Sequence, residues 1–555
     1  MYVRVTPGKP RKDGSKVQYV QLAHNEWDPV KQRSTVRVVH NFGRADALDL
    51  PGMQRLAGSI ARYVERGESG PLPQAAEQGG VRLVSSRPMG AAHLLDGLWS
   101  RLGIADALAS AVQGRRIGPG VERVLFALAA NRAIAPCSKL AALEWAAHDV
   151  HLPGIGDLGA DPQVLYRAMD LLVEHDAAIQ EQVFFTVAGK LGLACDVLLF
   201  DTTSTYFETP DDDGFRKYGH SKDHRPDRPQ AVIGLAVTKE GIPVRVWSWP
   251  GNSADTSVIK TVRADLAAWR LHRVLWVGDR GFTSAENRQL LQAGGGHVLF
   301  GEKLRGGKDN TAALARPGRY RQVADNLHIK EVRVGDGTQG RRFIVVRNPG
   351  EAARDAATRQ RHLQRIGQEL EAIGRKEGDA RLAAEGELLA HPALKRYLHR
   401  RNGSLAIDKR AVVAEEKLDG KFLLSCTDDN LSGADAARLF KGLLDVERGF
   451  RDLKQVLEVR PVYHRKEDRI RAHVTLCFLA LVLVRVAERA TAQTWPTIQR
   501  QLDRIHLIDL AGTSGTVQQR TELDDDQQHL YTACQVPPPP QIHTFRPPAS
   551  TEPTP

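Results

Sequence analysis

The sequence predicts an α/β fold: a mixed five-stranded sheet with flanking helices, interrupted by a partly β insertion and preceded by a small β-rich module and a helical region. Three observations predict it. Val197-Leu198-Leu199-Phe200 is an unbroken apolar run that ends in Asp201. A buried strand reads this way, and an acid at its carboxyl end sits at the rim of the sheet. Residues 197–300 then alternate period-two and helical patterns in the order strand, strand, strand, helix, strand, helix, strand. After a charged interruption over 301–430, helical patterning resumes and ends in an apolar run, Val474 to Val484, broken only by Thr475.

A chain of 555 residues exceeds what one hydrophobic core usually organises, so several domains are expected. The formal net charge of +11 favours a polyanionic partner such as nucleic acid, although a merely basic protein would carry the same excess. The five cysteines (Cys137, Cys195, Cys426, Cys477 and Cys534) include no C-x-x-C pair. That argues against structural zinc or a disulfide framework and suits thiols in a reducing compartment. Met1-Tyr2-Val3-Arg4-Val5 lacks the apolar segment of a signal peptide, and the run Val474–Val484 is too short to span a bilayer. A cytoplasmic protein is expected.

Taken in order, residues 1–45 read as a small β-rich module, from β-branched runs at Tyr2–Val5, Lys16–Leu22 and Thr35–Phe42. Residues 46–195 turn helical and form a candidate DNA-binding domain. Leu94, Leu95, Leu98 and Leu102 recur at helical spacing, and Asp161-Pro162 reads as a helix cap followed by proline at the first helical position. Residues 196–300 hold the first part of the sheet, with strands at Val197–Asp201, Ala231–Thr238, Ile242–Trp249, Val274–Val277 and His297–Phe300. Lys239-Glu240-Gly241 turns the second strand into the third. One helix runs from Asp255 to Leu271, and another is capped by Ser284 and runs to Leu291. This is the element order of the ribonuclease H-like fold. There the first and fourth strands lie side by side, so Asp201 and Asp279, which follows the fourth strand, would be neighbours.

Residues 301–430 read as an insertion domain, strand-like at Arg319–Val334, Arg341–Arg347 and Ala406–Cys426, around a charged helical hairpin at Glu351–Arg401. Residues 431–492 return to the core with helices at about 432–458 and 470–490. The signal weakens over 493–535. Residues 536–555, with four consecutive prolines from Pro537, read as a disordered tail.

The stretch Val446 to Lys454 supplies a third acid. On a helical wheel Arg451 lies about 40° from Glu447 on one side and Lys454 about 20° on the other, while Val446, Phe450, Leu453 and Leu457 cluster on the adjoining face. The helix therefore packs through an apolar stripe and presents one carboxylate and two cations at its edge. An ordinary ion pair between Glu447 and Arg451 fits the same spacing; Asp445 and Asp452 fall elsewhere on the wheel. Phosphodiester cleavage gives such a set a purpose. Two Mg²⁺ ions about 4 Å apart can activate an oxygen nucleophile and stabilise the leaving oxygen, and Mg²⁺ prefers carboxylate ligands.

Phe200-Asp201-Thr202-Thr203-Ser204, Val277-Gly278-Asp279-Arg280-Gly281-Phe282 and Val446-Glu447 through Lys454 resemble the corresponding segments of the DDE transposases of bacterial insertion sequences, in the branch called the IS-four group. Gly219-His220-Ser221-Lys222-Asp223-His224-Arg225-Pro226-Asp227 and Arg460-Pro461-Val462-Tyr463-His464 strengthen the resemblance to a subgroup. The family signature places a Tyr and an Arg upstream of its Glu; here those positions are Phe440 and Leu443. The resemblance implies catalytic, metal-binding roles for Asp201, Asp279 and Glu447, with two Mg²⁺ ions or Mn²⁺ in their place. It implies DNA contacts at Lys454, Arg451, Arg448 and Arg280. It also implies an endonuclease that binds the terminal inverted repeats of its own element, frees a 3′-OH and joins it to target double-stranded DNA, as a homodimer in the DNA complex and associated with the nucleoid. A nuclease that does not join strands and an inactive DNA-binding derivative are the alternatives.

Overall fold

The computed structural model describes residues 2–10, 16–28, 33–44, 81–111, 120–156, 161–271, 273–335, 340–401, 403–460, 462–512 and 514–547. Two compact units divide between residues 82 and 83. The first holds a three-stranded antiparallel sheet, β1 (Tyr2–Pro10), β2 (Lys16–Asp28) and β3 (Arg33–Arg44), in that spatial order. Residues 46–80 of the expected helical region lie outside the described residues.

In the second unit, β4 (Arg82–Pro88) leads into helices Gly90–Arg101, Ile104–Ala111, Val121–Ile134, Gln163–Glu174 and Asp176–Leu191. The Asp161 side chain accepts from the Gln163 amide at the start of its helix, 2.9 Å away. The main sheet is built from β5 (Val197–Tyr206), β6 (Gln230–Thr238), β7 (Pro243–Pro250), β8 (Leu275–Gly278), β9 (His297–Glu302), β10 (Arg321–Ala324), β11 (Leu327–Val334) and β12 (Arg341–Arg347). A small hairpin, β13 (Leu398–Arg401) and β14 (Ser404–Ile407), stands apart, and β15 (Lys421–Cys426) returns to the main sheet.

The main sheet runs β10-β11-β12-β15-β9-β8-β5-β6-β7. Its β7-β6-β5-β8-β9 half is antiparallel up to β5 and parallel from β5 through β8 to β9. First and fourth strands therefore pair, and the topology is that of the ribonuclease H-like fold. Every residue of β6 is buried, as a strand covered on both faces requires. Alternation along β5 sends Leu199 to one face and Leu198 and Phe200 to the other. The first face packs on helices Leu443–Gln455 (the Glu447 helix) and Glu467–Thr491 (the core helix), the second on helix Asp255–Ala268.

Four expectations change. The strands of 301–430 do not form a sheet of their own: β10, β11, β12 and β15 extend the main sheet from the exposed edge of β9, which satisfies that edge's backbone. Within Ala406–Cys426 the chain makes helix Lys409–Glu416, because Asp408 caps it by accepting from the Arg410 and Ala411 amides. The helix expected over 432–458 is two, Gly433–Lys441 and Leu443–Gln455, joined at Gly442 where a Cβ would meet Leu199 Cδ2 at 2.9 Å. The core helix has 25 residues and is long and apolar enough to cross a membrane, yet 94% of its apolar window is buried against the helical region and β7.

The disordered tail is also corrected. Val536 is 4% exposed and seated against Gly97, while β18 (Ile542–Arg546) joins a second sheet of order β18-β17-β16-β4 with β16 (His506–Gly512) and β17 (Gly515–Arg520). Prolines lack an amide donor but keep a carbonyl. The carbonyl of Pro537 accepts from His93 Nε2 at 2.9 Å and that of Pro539 from Arg520 Nε at 2.8 Å. Residues 548–555 lie outside the described residues. Val536→Asp is expected to lower unfolding free energy by roughly 2 kcal/mol or more, since it places a carboxylate in an apolar seat. Urea unfolding at pH 7 measures it, and an unchanged midpoint would mean that this segment is not packed.

Candidate active site

Two strand ends create the site. β5 and β8 pair in parallel with Leu199 opposite Val277. The same register carried two residues further sets Asp201 beside Asp279. Each carboxylate is steered by a nearby amide: Asp201 Oδ1 accepts from the Thr202 N–H at 2.7 Å, and Asp279 Oδ1 from the Gly281 N–H at 2.7 Å, capping a single 3₁₀ turn, Arg280–Phe282.

A third aspartate that sequence reasoning did not assign to the site joins them. Asp255 opens helix Asp255–Ala268 and accepts from the Thr202 hydroxyl. A Cβ added to Gly281 would lie 3.0 Å from Asp279 Oδ1 and 3.1 Å from Asp255 Oδ2, so these two carboxylates flank the same glycine. Lys222 supplies counter-charge. Its Nζ is 3.3 Å from Asp255 Oδ2 and 4.0 Å from Asp201 Oδ1, and donates to the Thr202 carbonyl at 2.8 Å and its hydroxyl at 2.6 Å. Burial pushes the Asp201 carboxyl up to about 7; Lys222 opposes this, while Asp279 and Asp255 reinforce it. Asp255 carried a sequence signal as the start of a predicted helix. Lys222 lay in a polar loop whose composition gave no reason to place it here.

The Glu447 helix lies over the other face of β5. Val446, Gly449, Phe450 and Leu453 form its buried stripe. It is fixed at two points: Gly442 backs onto Leu199, and Lys454 Nζ donates to Thr203 Oγ1 at 2.7 Å and to Asp223 Oδ1 at 2.8 Å. Asp201 lies between these anchor points along the strand, and Glu447 between them along the helix. Glu447 itself is exposed, and its side chain makes no ion pair or hydrogen bond among the described residues. Among the described residues no group of three or more His, Cys, Asp or Glu is arranged to hold a metal ion. The structure thus brings Asp201 and Asp279 together and leaves Glu447 on the neighbouring helix, not joined to them.

The four cations divide into two kinds. Arg280 and Arg451 are exposed and form no ion pair among the described residues. Arg448 pairs with Glu488 at 3.4 Å, and Lys454 is held by Asp223 with only 14% of its side chain exposed. Phe440 stacks on Phe422 and lies against Gly301, an apolar plug between helix and sheet.

A family model described as Transposase DDE domain matches residues 195–483, just over half of the chain. The chain belongs to this family. The matched transposase domain spans β5 through most of the core helix and so contains Asp201, Asp279 and Glu447. No curated protein matches the chain. One solved structure, the cryo-EM structure of a piggyBac transposase synaptic complex with hairpin DNA, shares 10% identity over 76% of this chain and 82% of that chain, with a TM-score of 0.33, too loose a likeness to argue from.

The burial of Asp201, reinforced by its neighbouring carboxylates, has a measurable consequence for this DDE transposase. Because the folded state holds the Asp201 proton up to about 7, against an ordinary value of 3.8, the fold loses stability as pH rises between those values. Asp201→Asn is expected to stabilise the metal-free protein at pH 8 by on the order of 1 kcal/mol, after allowance for partial exposure, and to flatten that slope. Chemical denaturation from pH 4 to 8 in EDTA tests it; an unchanged slope would contradict the electrostatic reading.

Proposed function

We propose that this chain is an insertion-sequence transposase that binds the terminal inverted repeats of its element, cleaves a strand there and joins the freed 3′-OH to target DNA. The observation that carries the reading is the juxtaposition of Asp201 and Asp279 at the ends of paired parallel strands, inside a transposase DDE domain. Asp201, Asp279 and Glu447 are the proposed catalytic and metal-binding residues. Lys222 is near Asp201 and Asp255, and Asp279 adds a further carboxylate beside Asp201; this excess of negative charge supports assigning a hard divalent cation to the site, although the acids are not gathered as a ready-made ligand set. Two Mg²⁺ ions, or Mn²⁺, would supply activation of the attacking oxygen and stabilisation of the leaving one.

The chain's own residues do the rest. The Thr202 and Gly281 amides orient the two aspartates. Glu447 completes the set when its side chain turns from the fixed helix toward the end of β5. Exposed Arg280 and Arg451 are free to meet DNA phosphates and hold the strand at the acids. Arg448 and Lys454, internally paired here, meet phosphate only if DNA replaces Glu488 and Asp223. Pairing of two element ends requires at least a dimer on DNA. The exposed, unjoined Glu447 is the observation that favours the alternative, DNA binding without catalysis.

Asp279→Asn is expected to reduce cleavage of a labelled transposon end by at least about 1,000-fold while leaving end binding intact; near-normal cleavage by this variant would sink the site assignment. Strand transfer into plasmid DNA separates a transposase from a nuclease that only cuts. A direct test of the metal needs no DNA. Mg²⁺ is expected to raise the melting temperature of the wild type by several degrees, and to do so far less for Asp201→Asn or Asp279→Asn. Equal shifts in all three proteins would place metal binding elsewhere.

A further inference from the structure

The loop between β5 and β6 carries the motif Gly219 to Asp227, and neither aspartate pair nor helix stripe explains it. Its backbone is tied down on both sides. The Lys222 amide donates to Ser204 Oγ on β5 at 2.9 Å, and Gly219 lies so close to Gly251 that a Cβ would meet the Gly251 carbonyl oxygen at 2.1 Å. His224 takes a left-handed conformation, φ 57°, which turns the chain just after Asp223.

Two consecutive side chains of this loop serve opposite faces of β5. Lys222 reaches Thr202 and Asp255 on one face. Asp223 reaches the other, where its Oδ1 accepts from Lys454 Nζ at 2.8 Å and its Oδ2 lies 3.2 Å from Arg460. Only 10% of the Asp223 side chain is exposed, so two cations share one desolvated carboxylate. Removing that charge would leave two half-buried cations, Lys454 and Arg460, side by side without compensation. Lys454 also bonds Thr203, two residues beyond Asp201 on the same face. It stands two turns from Glu447 on nearly the same line of the helix.

We propose that Asp223 is a positioning residue of the transposition site: through Lys454 it fixes the register of the Glu447 helix along β5 and thereby the place of Glu447 relative to Asp201. This rests on the assignment of Glu447 to the site. The loop is thus a brace between the strand that carries the first acid and the helix that carries the third. Arg460, drawn in by the same carboxylate, lies over the Tyr206 ring at 4.9 Å and binds the segment after the helix to the end of β5.

The test uses the whole chain and two readouts. In hydrogen–deuterium exchange without metal or DNA, Asp223→Asn is expected to raise exchange at least threefold over residues 443–455 while the core helix, 467–491, stays protected. In cleavage of a labelled end, the same variant is expected to lose at least tenfold in rate and to need several-fold more Mg²⁺ for half its maximal rate, with end binding unchanged. Asp223→Asn combined with Lys454→Gln should be no worse than the more damaging single variant, since both break one contact. Faster exchange across the whole chain, unaltered exchange over 443–455, or fully additive losses would each overturn the proposal. If the wild type does not cleave at all, the proposed function fails, and the exchange experiment alone still decides whether Asp223 fixes the helix.

Discussion

Everything at the site depends on one pairing, the parallel ladder between β5 and β8. Three residue pairs make it, Val197 with Leu275, Leu198 with Trp276 and Leu199 with Val277. Parallel strands need a long connection between them, and here β6, β7 and helix Asp255–Ala268 occupy it. The cost of closing so long a loop is offset by the apolar surface that the two faces of the sheet bury. The pairing brings two carboxylates from distant sequence positions to one rim. Burial of a carboxylate opposes the fold, with Asp279 and Asp255 adding to it, and the cost shows in the raised Asp201 proton affinity. The hydrophobic packing behind the strands holds the acids where electrostatics alone would separate them.

The second constraint is alternation. A strand shows successive residues to opposite faces, so Asp201 and Thr203 share a face with Leu199 while Thr202 looks toward Asp255. The site is consequently divided. Helix Asp255–Ala268 supports the aspartates from one face, and the Glu447 helix approaches from the other. The loop after β5 touches both, through Lys222 and Asp223. Orientation of the two aspartates and placement of the Glu447 helix are thus separable properties.

Much of this was legible in the sequence because periodicity reports burial. The apolar run 197–200, the hairpin turn at 239–241 and the cap at Ser284 all mark elements that the structure contains, and their order gave the neighbours Asp201 and Asp279. What was illegible has no period. Lys222 and Asp223 sit in an irregular polar loop, and their partners lie on other elements. Helix Lys409–Glu416 was hidden by the β-branched pair Val412-Val413, whose strand preference yields to the Asp408 cap. Composition misled at the four prolines, two of which, Pro537 and Pro539, offer carbonyls to His93 and Arg520.

Val536 against Gly97 and β16 beside β4 have a further consequence, which concerns time. More than four hundred residues separate helix Gly90–Arg101 from the segments that cover it, among them Ile505, whose carbonyl receives the Met89 and Gly90 amides. A ribosome adding residues one by one completes the neighbouring helices long before this C-terminal part of the cover exists. Contacts this distant in sequence form late and slowly. The face with Gly90, His93, Gly97 and Arg101 must therefore wait in the nascent chain for Ile505, Cys534, Val536 and Pro537. The helical region completes its core only when the residues beyond 500 have emerged, so its packing is among the last events of folding.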